Sequence, residues 1–444
     1  MTVKMSKTRN LAIALLAFFF ALLSPGTLLG AEIPSIKDVV EGKAKLPTIE
    51  DLTDGKVKIG DMINKNNVEL VKDYLTVGMY ELVKKGMVLR MGTQLPPDQL
   101  YPKSFQEATE RNRGKAVMDK TGAVYYEKIG TLWPGGIPFP WSKSGLESMG
   151  NFNYGRAFDS LRSYPSVFLL INSKGEVYKT AIFDSRYVRG VGRAVEPPFG
   201  TIPGYENIMF KRVNCNVYPL EIKGLGQFSV RYYDAAKDYD TGFAYLPAFK
   251  RTIRVSATTW QDNMSGSDML YGDSEGFQEP YSDWNLKLME KKFLLTSEPK
   301  SPTPLLDEKG YLSKNVQFDV GRKFPRVGWV IRPVDVVEAV PKIKHVYGKR
   351  VVYIPIWPYI SSGCGITASD IYDRQMKLWK ANVFLFGRID YLKGDPRNQQ
   401  SPYTAFILHD VQADHTTHLW AYQALNVGYR PEDITMGTLL KMGR

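Results

Sequence analysis

The chain has 444 residues, 43% of them hydrophobic, with 58 Lys and Arg against 46 Asp and Glu and a formal charge of +12. This is enough apolar material for a globular core. The charges are scattered, which argues against nucleic acid as a partner and leaves anionic headgroups or an acidic protein open. Two cysteines, Cys215 and Cys364, are too few for a disulfide-built scaffold or a four-cysteine zinc site.

The first element is a leader. Lys4, Lys7 and Arg9 precede an apolar run over residues 11–23, broken by Ser24-Pro25-Gly26. This is the pattern of a secretory signal peptide ending at Ala31. The run is shorter than the roughly 20 residues that a membrane span needs. Leu29 stands where cleavage prefers a small residue, so an uncleaved anchor stays open. In an oxidising compartment Cys215 and Cys364 have the option of a disulfide closing a long loop, with about 4–5 kcal/mol of stabilisation. Two buried free thiols are the alternative.

Residues 32–66 read as an irregular lead-in. Val68, Val71, Leu75, Met79, Leu82 and Val83 recur at helical spacing, predicting a helix over 67–85 that Gly86 stops. A second helix is expected over 104–111, with Ser104 as N-cap and Glu107 completing a capping box. From about residue 123 the pattern turns to strands. Residues 166–172 and 177–183 form a hairpin across Ser173-Lys174-Gly175-Glu176. Strands follow at 207–213, 221–231 and 252–258, and 286–295 is ambiguous between strand and helix. Further strands are expected at 327–333, where Pro333 begins a break, at 343–347 and 350–354 around Gly348, and at 367–372, 376–379, 382–389 and 406–418. A last helix covers 434–440. The chain thus divides into a leader (1–31), a helical and irregular portion (32–122) and a β-sheet domain (123–444).

The most informative stretch is Tyr245-Leu246-Pro247-Ala248-Phe249-Lys250-Arg251-Thr252-Ile253-Arg254, followed by Ser265-Gly266-Ser267-Asp268 and Tyr271-Gly272-Asp273. Pro247 suits a strand start or edge. Ile253, Val255 and Ala257 alternate with Arg254, Ser256 and Thr258. By itself the stretch reads as a β-hairpin without chemistry. With Ala108-Thr109-Glu110-Arg111-Asn112, Gly136-Ile137-Pro138-Phe139-Pro140 and Asp410-Val411-Gln412-Ala413-Asp414-His415-Thr416-Thr417, its order and spacing resemble the exported family known as domain of unknown function 1329, similar to outer-membrane lipoprotein-sorting proteins. The resemblance covers roughly residues 95–425.

The resemblance implies a mainly β (α+β) fold: a curved antiparallel sheet forming an incomplete LolA-like barrel, with helices such as 67–85 as lid or plug. Such a half-closed sheet makes a cavity for acyl chains. It further implies a periplasmic lipid or hydrophobe carrier of a Gram-negative bacterium, associated with the outer membrane or peripheral to a membrane, and a partner exporter of the resistance-nodulation-division type. Expected ligand-binding residues are Tyr245, Leu246, Arg251, Arg254 and Asp268, with Tyr353 and Trp357 at a hydrophobe entrance. Arg251 and Arg254 would meet anionic headgroups. No catalytic residue, cofactor or metal is expected.

Three alternatives stay open. A metal-dependent hydrolase would use His409, His415 and His418 with Asp410 and Asp414, given a bend near Ala413. An outer-membrane barrel would need longer strands with lipid-facing bands. A structural adaptor of an export system would have no ligand cavity.

Overall fold

Two antiparallel meanders joined edge to edge form the main sheet. The structure is a computed structural model, and it describes residues 33–443 apart from 239, 256–258, 299–315, 361–364 and 389–401. In chain order, a leading portion holds α1 (Ile36–Val40), α2 (Ile49–Leu52), β1 (Met62–Ile63), α3 (Val77–Lys84) and β2 (Leu89–Met91), followed by α4 (Lys103–Asn112) and α5 (Gly145–Tyr154). The first meander is β3 (Ser160–Ile171), β4 (Val177–Arg189), β5 (Ile208–Tyr218), β6 (Gly226–Tyr232), β7 (Thr241–Leu246) and β8 (Arg251–Val255). The second is β9 (Trp284–Ser297), β10 (Gly328–Pro341), β11 (Lys349–Pro355), β12 (Ala368–Tyr372), β13 (Leu378–Arg388), β14 (Pro402–Asp410) and β15 (His415–Leu425), and α6 (Met436–Met442) ends the chain. β15 pairs with β3, with His418 opposite Leu169 and Trp420 opposite Val167. β2 adds in parallel to the start of β10, Trp329 opposite Met91. The sheet is curved and does not close into a barrel.

Successive side chains of a strand point to opposite faces. On one face, Val383, Ile407, Trp420 and Leu169 pack against Met79, Leu82, Val83 and Met91 of the leading portion. On the other, Phe384, Phe406, Leu408 and Phe168 pack against Met149 and Phe152 of α5 and against Met269, Phe277 and Tyr281. The leading portion is fixed to its face through Asp370. That buried carboxylate accepts from the Thr76 hydroxyl (2.9 Å), the Gly78 amide (2.9 Å) and the Tyr353 hydroxyl (3.0 Å). A Cβ on Gly78 would lie 2.5 Å from the Asp370 oxygen and 2.6 Å from the Ala381 Cβ, so only glycine permits this approach.

Several expectations change. The helix expected over 67–85 is divided into a 3-10 turn (Val68–Tyr74) and α3, because extended Leu75 precedes Thr76, which caps α3. Ser104 lies inside α4, whose N-cap is Pro102 without a side-chain hydrogen bond, so no capping box forms. The strand at 327–333 does not break at Pro333. It runs on to Pro341, and Pro333 falls in the gap between the segments of β10 that pair with β2 and with β11, where a missing N–H is tolerated. The hairpin expected around Gly348 instead joins β10 to β11, because residues 343–347 form no strand. Residues 378–379 and 382–388 belong to one strand, β13, with 376 and 377 in the turn before it, and 406–418 spans two, β14 and β15, with a turn between them. Pro247 opens the tight turn between β7 and β8 and does not start a strand. β8 is the sheet's last strand, with Ile253 47% exposed, so its alternation buries no core face.

Candidate functional site

A cavity of about 490 Å³ lies against the sheet face that carries Phe168, Phe384 and Phe406. Its wall follows period two along the strands: Phe210, Arg212, Asn214 and Asn216 on β5, Gln227, Ser229 and Arg231 on β6, Leu419, Ala421 and Gln423 on β15. Nine neighbouring strands, β13 to β15 and β3 to β8, contribute to this one space. Laid flat at about 4.8 Å per strand they would span about 40 Å, so the face must curl around the cavity. Residues 260–278 roof it, with Trp260, Met264, Met269 and Tyr271 among the lining. Helix α3 packs on the opposite face, so residues 67–85, expected as a lid, do not cover this cavity.

The cavity has two chemically distinct regions. Phe168, Phe183, Phe384, Phe406 and Leu419 form an apolar floor. Beside it stand three guanidiniums on three elements: Arg156 after α5, Arg212 on β5 and Arg231 on β6. Arg156 is 2.5 Å from the Glu275 carboxylate, and Arg212 pairs with its other oxygen. Arg231 pairs with Asp240 at 2.9 Å and donates to Gln278 Oε1 at 3.0 Å. Burial pushes the Glu275 carboxyl up, but Arg156 and Arg212 more than reverse this and hold it at about 2. Aromatic faces fix the cations: Arg212 and Arg231 lie 5.2 and 5.3 Å from the Phe210 ring centroid, and Arg156 lies 4.9 Å from that of Phe152.

None of the seven residues expected to bind ligand is among those lining this cavity. Tyr245 is on the other face of β7, packed with Val213, Cys215 and Leu439 of α6. Leu246 ends β7 opposite Arg251, and Arg251 and Arg254 are exposed on the edge strand. The Asp268 carboxylate is 3.9 Å from His415, and burial raises its pKa. The Tyr353 hydroxyl donates to Asp370. Trp357 stacks on Tyr101 at 4.5 Å and donates to Glu110 at 3.3 Å. Asp273, from the same signature, is fully buried, accepts from the Tyr347 hydroxyl at 2.7 Å and pairs with Arg350 at 3.3 Å, which anchors the roof. Cys215 is buried, and burial pushes its thiol up to about 11. Its expected partner Cys364 lies outside the described residues.

The histidine cluster separates. A turn does fall at 411–414, but His409 and His418 point to the face of the leading portion and His415 to the other. His418 Nε2 donates to the Lys323 carbonyl at 2.7 Å, and its Nδ1 accepts from Trp420 at 3.3 Å. His409 Nδ1 bonds Thr416 Oγ1 at 2.9 Å. Burial pushes His409 down to about 3 and His418 down to about 4. Among the described residues, no three His, Cys, Asp or Glu side chains are grouped to hold a metal ion. No helix among them is long and apolar enough to cross a membrane.

Fold and site together define a β-rich protein with an amphipathic internal cavity. The chain belongs to the family described as "Protein of unknown function (DUF1329)", which matches residues 62–432. Two solved structures are similar, each over 64% of this chain and 92% of its own length, each with a TM-score of 0.40. One, at 16% identity, is a domain from Vibrio parahaemolyticus provisionally named an outer membrane lipoprotein-sorting protein. The other, at 12% identity, is a DUF1329 family protein from Desulfovibrio piger. No curated protein matches the sequence.

The cavity residues Arg156, Arg212, Arg231 and Glu275 escaped the sequence reading. One signal was available. On β5 the polar residues Arg212, Asn214 and Asn216 alternate with Val213 and Cys215, and the polar set faces inward.

Proposed function

We propose that the protein is an exported, periplasmic carrier that binds a lipid or other hydrophobic molecule without covalent chemistry. The observation that carries this reading is the roofed cavity of about 490 Å³ with its phenylalanine floor. That volume is within the range of roughly 300–1,000 Å³ typical of small-molecule sites. Apolar burial at about 25 cal/mol per Å² supplies the driving force, reduced by the costs of association. The leader at residues 1–31 supports export. A partner exporter in the inner membrane belongs to the same proposal and rests on the family resemblance alone. Crosslinking in cells that recovers no inner-membrane protein would remove it.

The carrier reading is tested by native mass spectrometry of the protein from a periplasmic extract, with organic extraction of what co-purifies. A stoichiometric hydrophobe is expected. Ala244 lines the cavity from β7, so Ala244→Trp should abolish co-purification while the protein still folds. A wild-type protein that stays free of ligand after incubation with lipid would rule the carrier out.

A further inference from the structure

The guanidinium cluster points to the class of cargo, an inference that rests on the carrier reading. Arg156, Arg212 and Arg231 converge on one side of the apolar floor, with side-chain exposures of 3%, 15% and 5%. The carboxylates of Glu275 and Asp240 pair with these cations, and they come from different places. Asp240 precedes β7 and pairs with Arg231. Glu275 belongs to the roof, and it reaches down between Arg156 and Arg212.

The roof is distorted where it does so. Glu275 has φ 54° and ψ 13°, a left-handed conformation that residues with a Cβ adopt at a cost, and it follows Ser274 at ψ 135°. Such a conformation persists when surrounding contacts over-determine it, and here those contacts are the two guanidiniums. A carboxylate held between two guanidiniums, next to an apolar floor, reproduces the head and tail arrangement that an anionic amphiphile would need. Arginine's planar fork suits carboxylate and phosphate oxygens alike. Displacing Glu275 would remove the carboxylate that Arg156 and Arg212 share and would free the roof at residues 271–276.

We propose that the cavity takes a single-chain amphiphile with an anionic head, carboxylate or phosphate, and that Glu275 is an internal stand-in for that head, displaced from Arg156 and Arg212 when cargo enters. The roof then opens and closes in response to the charge of the head.

The test is a calorimetric titration of the delipidated full chain with four probes: dodecanoate, dodecyl phosphate, methyl dodecanoate and dodecyltrimethylammonium. The anionic probes should bind at least about tenfold tighter than the ester, equivalent to about 1.4 kcal/mol. Whichever anion binds tighter identifies the source of the head. Glu275→Gln removes the competing charge and should tighten the anionic probes by a further factor of about ten, with the ester changed less than about twofold. Equal affinity for all four probes, or an anionic affinity that Glu275→Gln leaves unchanged or lowers, would overturn the inference while the carrier reading stands. If no probe binds the wild-type chain, the inference fails, and the co-purification experiment decides the carrier reading separately. Should Glu275→Gln not fold, the wild-type series and Arg212→Gln decide. The latter should weaken the anions about tenfold and spare the ester.

Discussion

The two meanders share one architecture and meet opposite demands. In the second, β13 and β14 are packed on both faces: Val383 and Ile407 against the leading portion, Phe384 and Phe406 toward α5 and the cavity floor. Their sequences read as near-continuous apolar runs, as doubly covered strands should. In the first meander, β5 and β6 turn Arg212, Asn214, Gln227 and Ser229 toward the cavity, and put Val213 and Phe228 with α6 on the outside. Burial therefore encloses mostly apolar side chains in one meander and polar ones in the other. Inwardness alone does not select apolar residues, because a cavity wall can bury polar side chains that pair with one another, as Arg212 does with Glu275.

The contrast is sharpest in its response to truncation. Trp420 is fully buried against the leading portion. Trp420→Ala should cost about 3–5 kcal/mol, read as a lower urea midpoint, with the cavity wall of β5 and β6 untouched. A loss below about 1 kcal/mol would mean that the second meander is not the stabilising half.

Acid should also act on the second meander. Unfolded histidines take up protons near pH 6.5, whereas His409 and His418 in the folded protein do so only near 3 and 4. The unfolded state binds more protons in that window, so stability falls as pH drops. His418 alone should account for about 2–3 kcal/mol between pH 7 and 4.5. Asp370 opposes this. Burial raises its carboxyl to about 6, so its contribution grows as pH falls and offsets part of the loss. His418→Gln should flatten the pH dependence of the urea midpoint, and an unchanged slope would place the acid sensitivity elsewhere.

The smallest effect is expected at the free edge of the first meander. Ile253→Lys on β8 should shift stability by no more than about 0.5 kcal/mol. A larger loss would show that the exposed side of β8 is covered in solution.

The sheet was legible in the sequence where period two and turn chemistry agree. Asn172 and Gly175 mark the β3–β4 turn, and apolar residues flank it on both strands. The helix at 67–85 was misread at one residue. Thr76 sits where helical spacing continues, but its hydroxyl is taken by Met79 N and by Asp370, 294 residues away in sequence. No local pattern carries such a partner. The site was illegible for a related reason. Arg156, Arg212, Arg231 and Glu275 come from four separate segments, and each alone reads as a solvated charge. Of the signature from Tyr245 to Asp273, Ser265 and Tyr271 line the cavity, Asp273 fastens the roof, and Glu275, which pairs with Arg156 and Arg212, lies two positions beyond it.

The joint between β3 and β15 carries a consequence for synthesis and folding. Each meander is local in sequence, so each can form soon after its own strands are available. The joint pairs Leu161 with Leu425, and contacts this far apart form slowly because loop closure precedes any reward. Until the last strand arrives, β3 offers Val167 and Leu169 on an open edge of the kind that invites pairing with other chains. A truncation before residue 415 should therefore yield aggregate in place of a smaller soluble protein.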